Sequence, residues 1–236
     1  MNIEKISEDA GQLETKAHVL TDQVTVLRTS DDQWAQLRAT RDGAPIIFPW
    51  KLALTLEGRV FHITVGAFST PVGDGGVIDL DQPEFTIAMP ANQVLIPFRV
   101  SAQMLMPFID FDSDEREILF AADRTQTIVN GTATAEVVFN MRTDNPRTSA
   151  VTARSAYSAN STAPTLDLEL ARIVAIGDIQ GAAANAHWNK GLLVYEPTES
   201  PFLVGPSTLI GYWGGSVSTT GFGQAIWAEL PLSAIS

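Results

Sequence analysis

Asp110-Phe-Asp-Ser-Asp-Glu115 is the one dense carboxylate cluster of the chain, and its alternating Asp110, Asp112 and Asp114 are the residues best suited to hold a hard cation. Calcium takes oxygen ligands from carboxylates spaced in this way. The run departs from the EF-hand loop, however. Glu115 stands where the turn glycine belongs, and Ala121 where the bidentate glutamate belongs. A solvated acidic turn ahead of a strand at Glu117-Ile-Leu-Phe120 is the simpler reading. No metal or other cofactor is expected.

The remaining chemistry is thin. His18, His62 and His187 are scattered without metal-ligand spacing. No Gly-x-Ser-x-Gly elbow, His-Glu-x-x-His helix, phosphate loop or dinucleotide fingerprint occurs. Two carboxylates can cleave a glycoside, but nothing selects one pair among the many Asp and Glu residues. No catalysis is expected. Trp188, Trp213, Trp227, Tyr195 and Tyr212 have rings able to stack on a sugar. Trp213 and Trp227 alternate with Leu, Ile and Ala, which points to a core or subunit-contact role. Asn130-Gly-Thr132 and Asn160-Ser-Thr162 match glycosylation sequons and are read as turn chemistry.

What would position such groups is an architecture, and that is easier to read. The chain has 236 residues, enough for one large β domain or two small ones. Only 18% of residues are charged against 45% hydrophobic, which suggests that neighbouring subunits cover part of the surface. The net charge is −12, and the first 30 residues hold only Lys5, Lys16 and Arg28 as basic residues. Phosphate binding relies on Lys and Arg, so no direct nucleic-acid contact is expected. Cysteine is absent, which excludes disulfides and thiolate chemistry. The acidic, amphipathic N-terminus does not read as a signal peptide, and no apolar run approaches the roughly 18 residues that span a bilayer. No membrane partner is expected.

Ile3, Ile6, Ala10, Leu13, Ala17, Leu20, Val24 and Leu27 recur at alternating spacings of three and four. That keeps one apolar seam on a helix of 3.5-residue period and predicts an oligomerising, coiled-coil-like helix over residues 1–40. A helix packed on its own domain would show a similar stripe. The flanking positions, Ser7, Asp9, Glu14, Lys16, Thr21, Gln23, Arg28 and Ser30, carry no strong charge code. A homotrimer is the expected assembly.

Residues 45–236 read as strand and turn. Lys51–Glu57 and Arg59–Val65 form an expected hairpin through Gly58. Further strands are expected at Glu84–Met89 and Val94–Met106, with Pro97 marking an edge or a late start. Thr125–Val129 and Thr132–Phe139 flank Asn130-Gly131, a strong hairpin-turn signal. Asn140–Ala163 reads as a long surface excursion. Thr165–Ile176 can be read as strand or helix, and its Leu166, Leu168, Leu170 alternation favours a strand; Gly181–Asn189 is an Ala-rich connection and Gly191–Tyr195 a short strand. Thr208–Trp213 and Gly221–Leu230 read as a terminal aromatic hairpin. This strand count fits an antiparallel β-sandwich, a jelly roll before other Greek-key sandwiches.

The run from Pro201-Phe-Leu-Val-Gly-Pro206 through Tyr212-Trp-Gly-Gly215 to Phe222-Gly-Gln-Ala-Ile-Trp-Ala-Glu229 resembles viral and phage structural proteins. Single jelly-roll capsid proteins and trimeric fibre heads commonly end in such an aromatic segment. The resemblance implies a non-catalytic virion component that self-assembles and meets other virion proteins. Its alternative is a fibre head gripping a host glycan or receptor. The missing basic arm departs from genome-binding capsid proteins and implies a place on the outer face or an appendage. If the seam drives association, Leu20→Asp, which puts a charge where burial is worth roughly 1.5–3 kcal/mol, markedly weakens it. Sedimentation of that variant at the parent's mass would locate the association elsewhere.

Overall fold

The computed structural model describes residues 49–73, 76–105, 114–125, 132–159, 162–177, 191–215 and 219–235. The seam Ile3–Leu27 lies outside the described residues, so the structure does not support the helix expected there. The chain falls into two compact units, Leu54–Leu232 and Met1–Ala53 with Ser233–Ser236. Of the latter unit, Pro49–Ala53 and Ser233–Ile235 are described, and Lys51 Nζ lies 5.9 Å from the Trp50 ring centroid.

The segment Lys51–Glu57 corrects the expected hairpin. Trp50–Leu56 is an α-helix (α1), with Ala53 N–H donating to Pro49 O at 3.0 Å. Gly58 ends it at φ +68°. Gly58 N–H donates to Thr55 O and Arg59 N–H to Leu54 O, both at 2.9 Å, the paired bonds of a Schellman cap. The Leu52, Leu54, Leu56 alternation is thus spent on a helix, where only Leu54 is buried.

Two antiparallel sheets make up the Leu54–Leu232 unit. Sheet one contains β1 (Val60–Val65), β3 (Gln93–Leu105), β6 (Phe139–Asn140), β9 (Leu192–Tyr195), β10 (Leu203–Val204) and β12 (Thr220–Pro231). Its order is β10-β3-β12-β1-β6, with β9 also lying on β3. Sheet two contains β2 (Phe85–Met89), β4 (Asp114–Asp123), β5 (Thr132–Ala135), β7 (Thr152–Ala159), β8 (Leu168–Gly177) and β11 (Ser207–Gly215). Its order is β5-β7-β2-β11-β4-β8. The protein is a mainly β, two-sheet antiparallel sandwich, as the alternating segments predict.

Several local expectations give way. Strands β11 and β12 are not a hairpin: each is interior to a different sheet, and the chain crosses between sheets at their junction. Pro97 does not mark a start, since β3 begins at Gln93 and runs through it at a register shift against Ile226/Trp227. It does fall at a local edge, in the gap between Val94–Leu95, which pair with β10, and Val100–Gln103, which pair with β9, where a proline is tolerated. The Asn130-Gly131 turn lies outside the described residues, and β5 pairs with β7. The supposed excursion Asn140–Ala163 contains β7, an interior strand that buries Ala153, Ser155 and Tyr157. Its inward residues are too small or polar to announce a strand.

The core between the sheets is aromatic. Phe85 tilts against Phe120 and Trp213 at centroid distances of 6.4 and 6.1 Å, and Phe61 stacks on Trp227 at 6.4 Å. Rings this large fit because the facing backbone is bare. A Cβ on Gly211 would come within 2.0 Å of the Phe85 ring. Cβ atoms on Gly221 and Gly223 of β12 would each meet Trp213 of the opposite sheet at 3.1 Å. Trp213 Nε1–H then donates to Val72 O at 2.9 Å. Val72 in turn exchanges both backbone bonds with Gly221, at 2.8 and 2.7 Å.

Gly211→Ala is expected to destabilise the chain by about 1–3 kcal/mol through overpacking. Adding Phe85→Leu should recover part of that loss, since the two sites share one contact. Urea melts check this, and an unchanged midpoint for Gly211→Ala contradicts the contact.

Candidate functional site

Among the described residues, those that sequence reading singled out for chemistry do not converge. Asp110 and Asp112 lie outside the described residues, and Asp114 opens β4. Among the described residues no group of three His, Cys, Asp or Glu is placed to hold a metal ion. His18, His187 and Trp188 lie outside the described residues. His62 sits on β1 with its ring tilted against Phe139 at 5.4 Å. Trp213 and Trp227 are 1% and 0% exposed, so they are core residues and not subunit contacts. A tryptophan among Gly, Ala and Ile fits either role in sequence. The bare glycines of the facing strand decide it.

The buried polar groups serve the fold. Glu229, on β12, accepts bonds from Ser149 Oγ–H, from Ala150 N–H at 2.8 Å and from Trp227 Nε1–H at 2.9 Å. It thereby ties the approach to β7 onto sheet one. Ser155 donates to Glu136 beside β5. Ala156 takes a positive φ of 49° within the β5–β7 register shift. The strand turns there, and Tyr157 Oη meets Thr86 Oγ1 at 2.6 Å on the face of sheet two away from the core. On that face Tyr212 Oη–H donates to Leu80 O at 3.0 Å. Burial, then the charges of Asp123, Asp79 and Asp81, push the Tyr212 phenol far above its ordinary range, so it stays a neutral donor.

The candidate functional feature is a surface. Sheet edges are unpaired templates for association, and proteins usually blunt them. The edges of sheet two are blunted. Strand β5 is short and built of Thr and Ala. Strand β8 carries Glu169 and Arg172, and Arg172 also bridges to Glu117 on β4. A register shift at Phe120/Ala121 further bends β8, where Val174 is an exposed apolar residue.

Sheet one differs at both edges. At β6, Val138 packs on the core while Val137, Phe139 and Met141 are exposed, Val137 by 64% and Phe139 by 53%. The segment is firmly held. Asn140 Nδ2–H donates to Gly58 O at 2.8 Å and to Arg147 O at 3.1 Å, and Met141 N–H to Val60 O at 2.9 Å. Arg142 donates to Leu56 O at 2.6 Å and forks onto Asp144 at 2.9 and 3.2 Å. That fork holds the Asp144 carboxyl below its ordinary range. At the other edge, Leu193, Tyr195 and Leu203 turn toward the core while Leu192, Val194, Phe202 and Val204 are exposed. Glu196 and Glu199 stand exposed between β9 and β10.

No known protein family, curated protein or solved structure matches this chain. Its function therefore has to be argued from its own topology and surface. No signal in the sequence marked Val137, Phe139 or Met141, because their alternation is that of any half-buried strand.

If Asn140 fastens the β6 edge, Asn140→Ala leaves the Gly58 and Arg147 carbonyls short of a donor. The expected cost is about 1–2 kcal/mol, with faster amide exchange confined to Val137–Arg142. Unchanged exchange there would show that β6 is held by other means.

Proposed function

We propose that this protein is a building subunit of a virion, acting through self-assembly and not through catalysis. The observation that carries the reading is the strand order. Take β1, β2, β3, β4, β8, β9 with β10, β11 and β12 as eight successive strands. Sheet one then pairs sixth–third–eighth–first, and sheet two second–seventh–fourth–fifth. First lies on eighth, second on seventh, third on sixth and fourth on fifth. One long antiparallel ribbon rolled into two sheets has this order, which is the jelly roll of viral capsid and lectin domains and of cupins. Strands β5, β6 and β7 are an insertion between the fourth and fifth strands.

Among the functions that this roll serves, assembly is favoured by the interior and the edges together. The space between the sheets is filled by Phe85, Phe120, Trp213 and Trp227, where a ligand-binding roll would keep a cavity. Among the described residues, seven of the fifteen exposed large apolar side chains lie at the two edges of sheet one: Val137, Phe139, Met141, Leu192, Val194, Phe202 and Val204. The net charge of −12 favours a place on the outer face or an appendage, away from packaged nucleic acid. The N-terminal seam would add a second contact, most simply a trimer.

A receptor- or glycan-gripping fibre head is the second reading. The connection between β1 and β2 favours it, because Phe68 and Val77 stand 79% and 71% exposed there. Electron microscopy of the purified chain separates the two. Closed rings or shell-like particles are expected. Isolated stalked heads favour the second reading. Saturable turnover of a polysaccharide, lost on changing one carboxylate with the fold intact, would overturn both.

A further inference from the structure

We infer that β5 and β7 form a flap that lifts from the edge of sheet two while the eight-stranded roll stays folded, and that the β2 edge it uncovers takes up the β7 strand of a second copy. The inference goes beyond the assembly reading above, because it concerns a contact that exists only once the flap has moved. Topology makes the motion possible. Strands β5 and β7 belong to the insertion and not to the roll. In sheet two they lie outside β2, which keeps β11 as its partner from Phe85 to Met89 on the other side. Lifting the flap therefore removes no strand of the roll.

The flap is a light cover. Against the core it buries Val151 and Ala153, beside a cluster built on Phe85, Phe120, Trp213 and Trp227. Strand β5 adds only Thr and Ala. Ala156 sits at φ +49°, in the left-handed region where a residue with a side chain is strained. The β5–β7 pairing slips register across it. A segment with little buried apolar surface opens at lower free energy than the core around it. Side chains tie the flap to the roll near each end. Before β7 starts, Glu229 of β12 accepts from Ser149 Oγ–H and Ala150 N–H. Near its end, Tyr157 Oη meets Thr86 Oγ1 of β2 at 2.6 Å. The neighbouring β6 is fastened separately, by Asn140 onto Gly58 and by Arg142 onto Leu56, so it stays in place when the flap lifts.

A lifted flap leaves one side of β2 without a strand, and a row of unpaired N–H and C=O groups is a template for another strand. The structure shows which strand suits it. Strand β7 matches β2 from Ser155 on Phe85 to Thr152 on Ala88, and it brings Tyr157 to Thr86. Every other copy of the chain carries that same strand. A second copy is thus the partner whose backbone register and side chains the edge already fits, and exchange of identical elements is a low-cost route to association. Closed, the flap blocks the contact, so it acts as an autoinhibitory cover.

The test loosens the ties in the full-length chain with Ser149→Ala and Tyr157→Phe together, changes that remove two hydroxyls and leave the packing in place. Hydrogen exchange read by mass spectrometry reports the lifting. In the parent, the amides of Thr132–Ala135 and Thr152–Ala159 are expected to exchange together and faster than those of β3, β11 and β12. The double variant should speed the flap amides by about tenfold and leave β6 and the roll unchanged. Flap amides that exchange no faster than the roll, or a variant that speeds flap and roll alike, would show that the flap does not lift by itself. The second readout is a fluorescent peptide of Ser149–Ala159, which stands in for the β7 of a second copy. Polarisation is expected to show saturable binding to the double variant, about tenfold weaker binding to the parent because its edge is mostly covered, and none of a scrambled peptide. Absence of binding to a variant whose flap does lift would overturn the proposed partner. Equal binding to parent and variant would show that the flap covers nothing. If the double variant loses the parent's circular dichroism, Tyr157→Phe alone is measured against the same outcomes. Neither readout needs the chain to assemble, so a failure here is separate from a failure of the assembly reading.

Discussion

Trp213 rests on the naked backbone of the opposite sheet, and the close approach of β11 to β12 depends on that contact. Two β-sheets normally pack about 10 Å apart because side chains from both inner faces interdigitate. Here one side supplies an indole and the other supplies Gly221 and Gly223, so the sheets close over the ring without a competing side chain. The indole N–H reaches Val72, which is hydrogen-bonded in both directions to Gly221. One side chain thus links β11 of sheet two, the connection after β1, and β12 of sheet one. The Phe85, Phe120 and Gly211 cluster extends the arrangement along sheet two.

The surface is uneven in an informative manner. Sheet two has a charged edge and a small polar edge, the usual protections against unwanted pairing. Sheet one leaves apolar side chains at both of its edges, and the insertion β5–β7 helps to build this difference. It places β6 on one sheet and β7 with β5 on the other. The apolar β6 edge is thus made by the same stretch of chain that protects sheet two. Stability does not require Phe139 to be exposed. A segment held by Asn140, Met141 and Arg142 yet displaying Val137 and Phe139 is better understood as presenting those residues.

Much of the strand content was legible from alternation, and little of the pairing was. Leu192–Tyr195, Leu168–Gly177 and the strand after Thr220 announce themselves, because alternate residues must face a core. Alternation is silent about which sheet a strand joins. For that reason β11 and β12 read as a hairpin, although each is the centre of its own sheet. Strand β7 escaped notice because Ala153 and Ser155 face inward where Val or Ile would have been recognised. Leu52, Leu54 and Leu56 misled in the opposite sense. Gly58 was the better guide there, since a glycine at positive φ ends a helix as readily as it turns a hairpin. The site was less legible still. Trp213 fits a core or a contact equally well until its facing glycines are known, Trp227 until its burial is known, and an exposed strip on an edge strand has the same pattern as a buried one.

The crossing of the insertion from one sheet to the other has a mechanical meaning. The chain leaves sheet one at Asn140 and enters sheet two at Thr152. Between them, Ser149 and Ala150 are gripped by Glu229 of β12. A force that slides the two sheets past one another must first tear this grip or straighten the short span beyond it. The segment works as a buckle across the layers. Any load in the plane of the sheets meets this buckle first, because it lies across the direction in which the sandwich would otherwise shear.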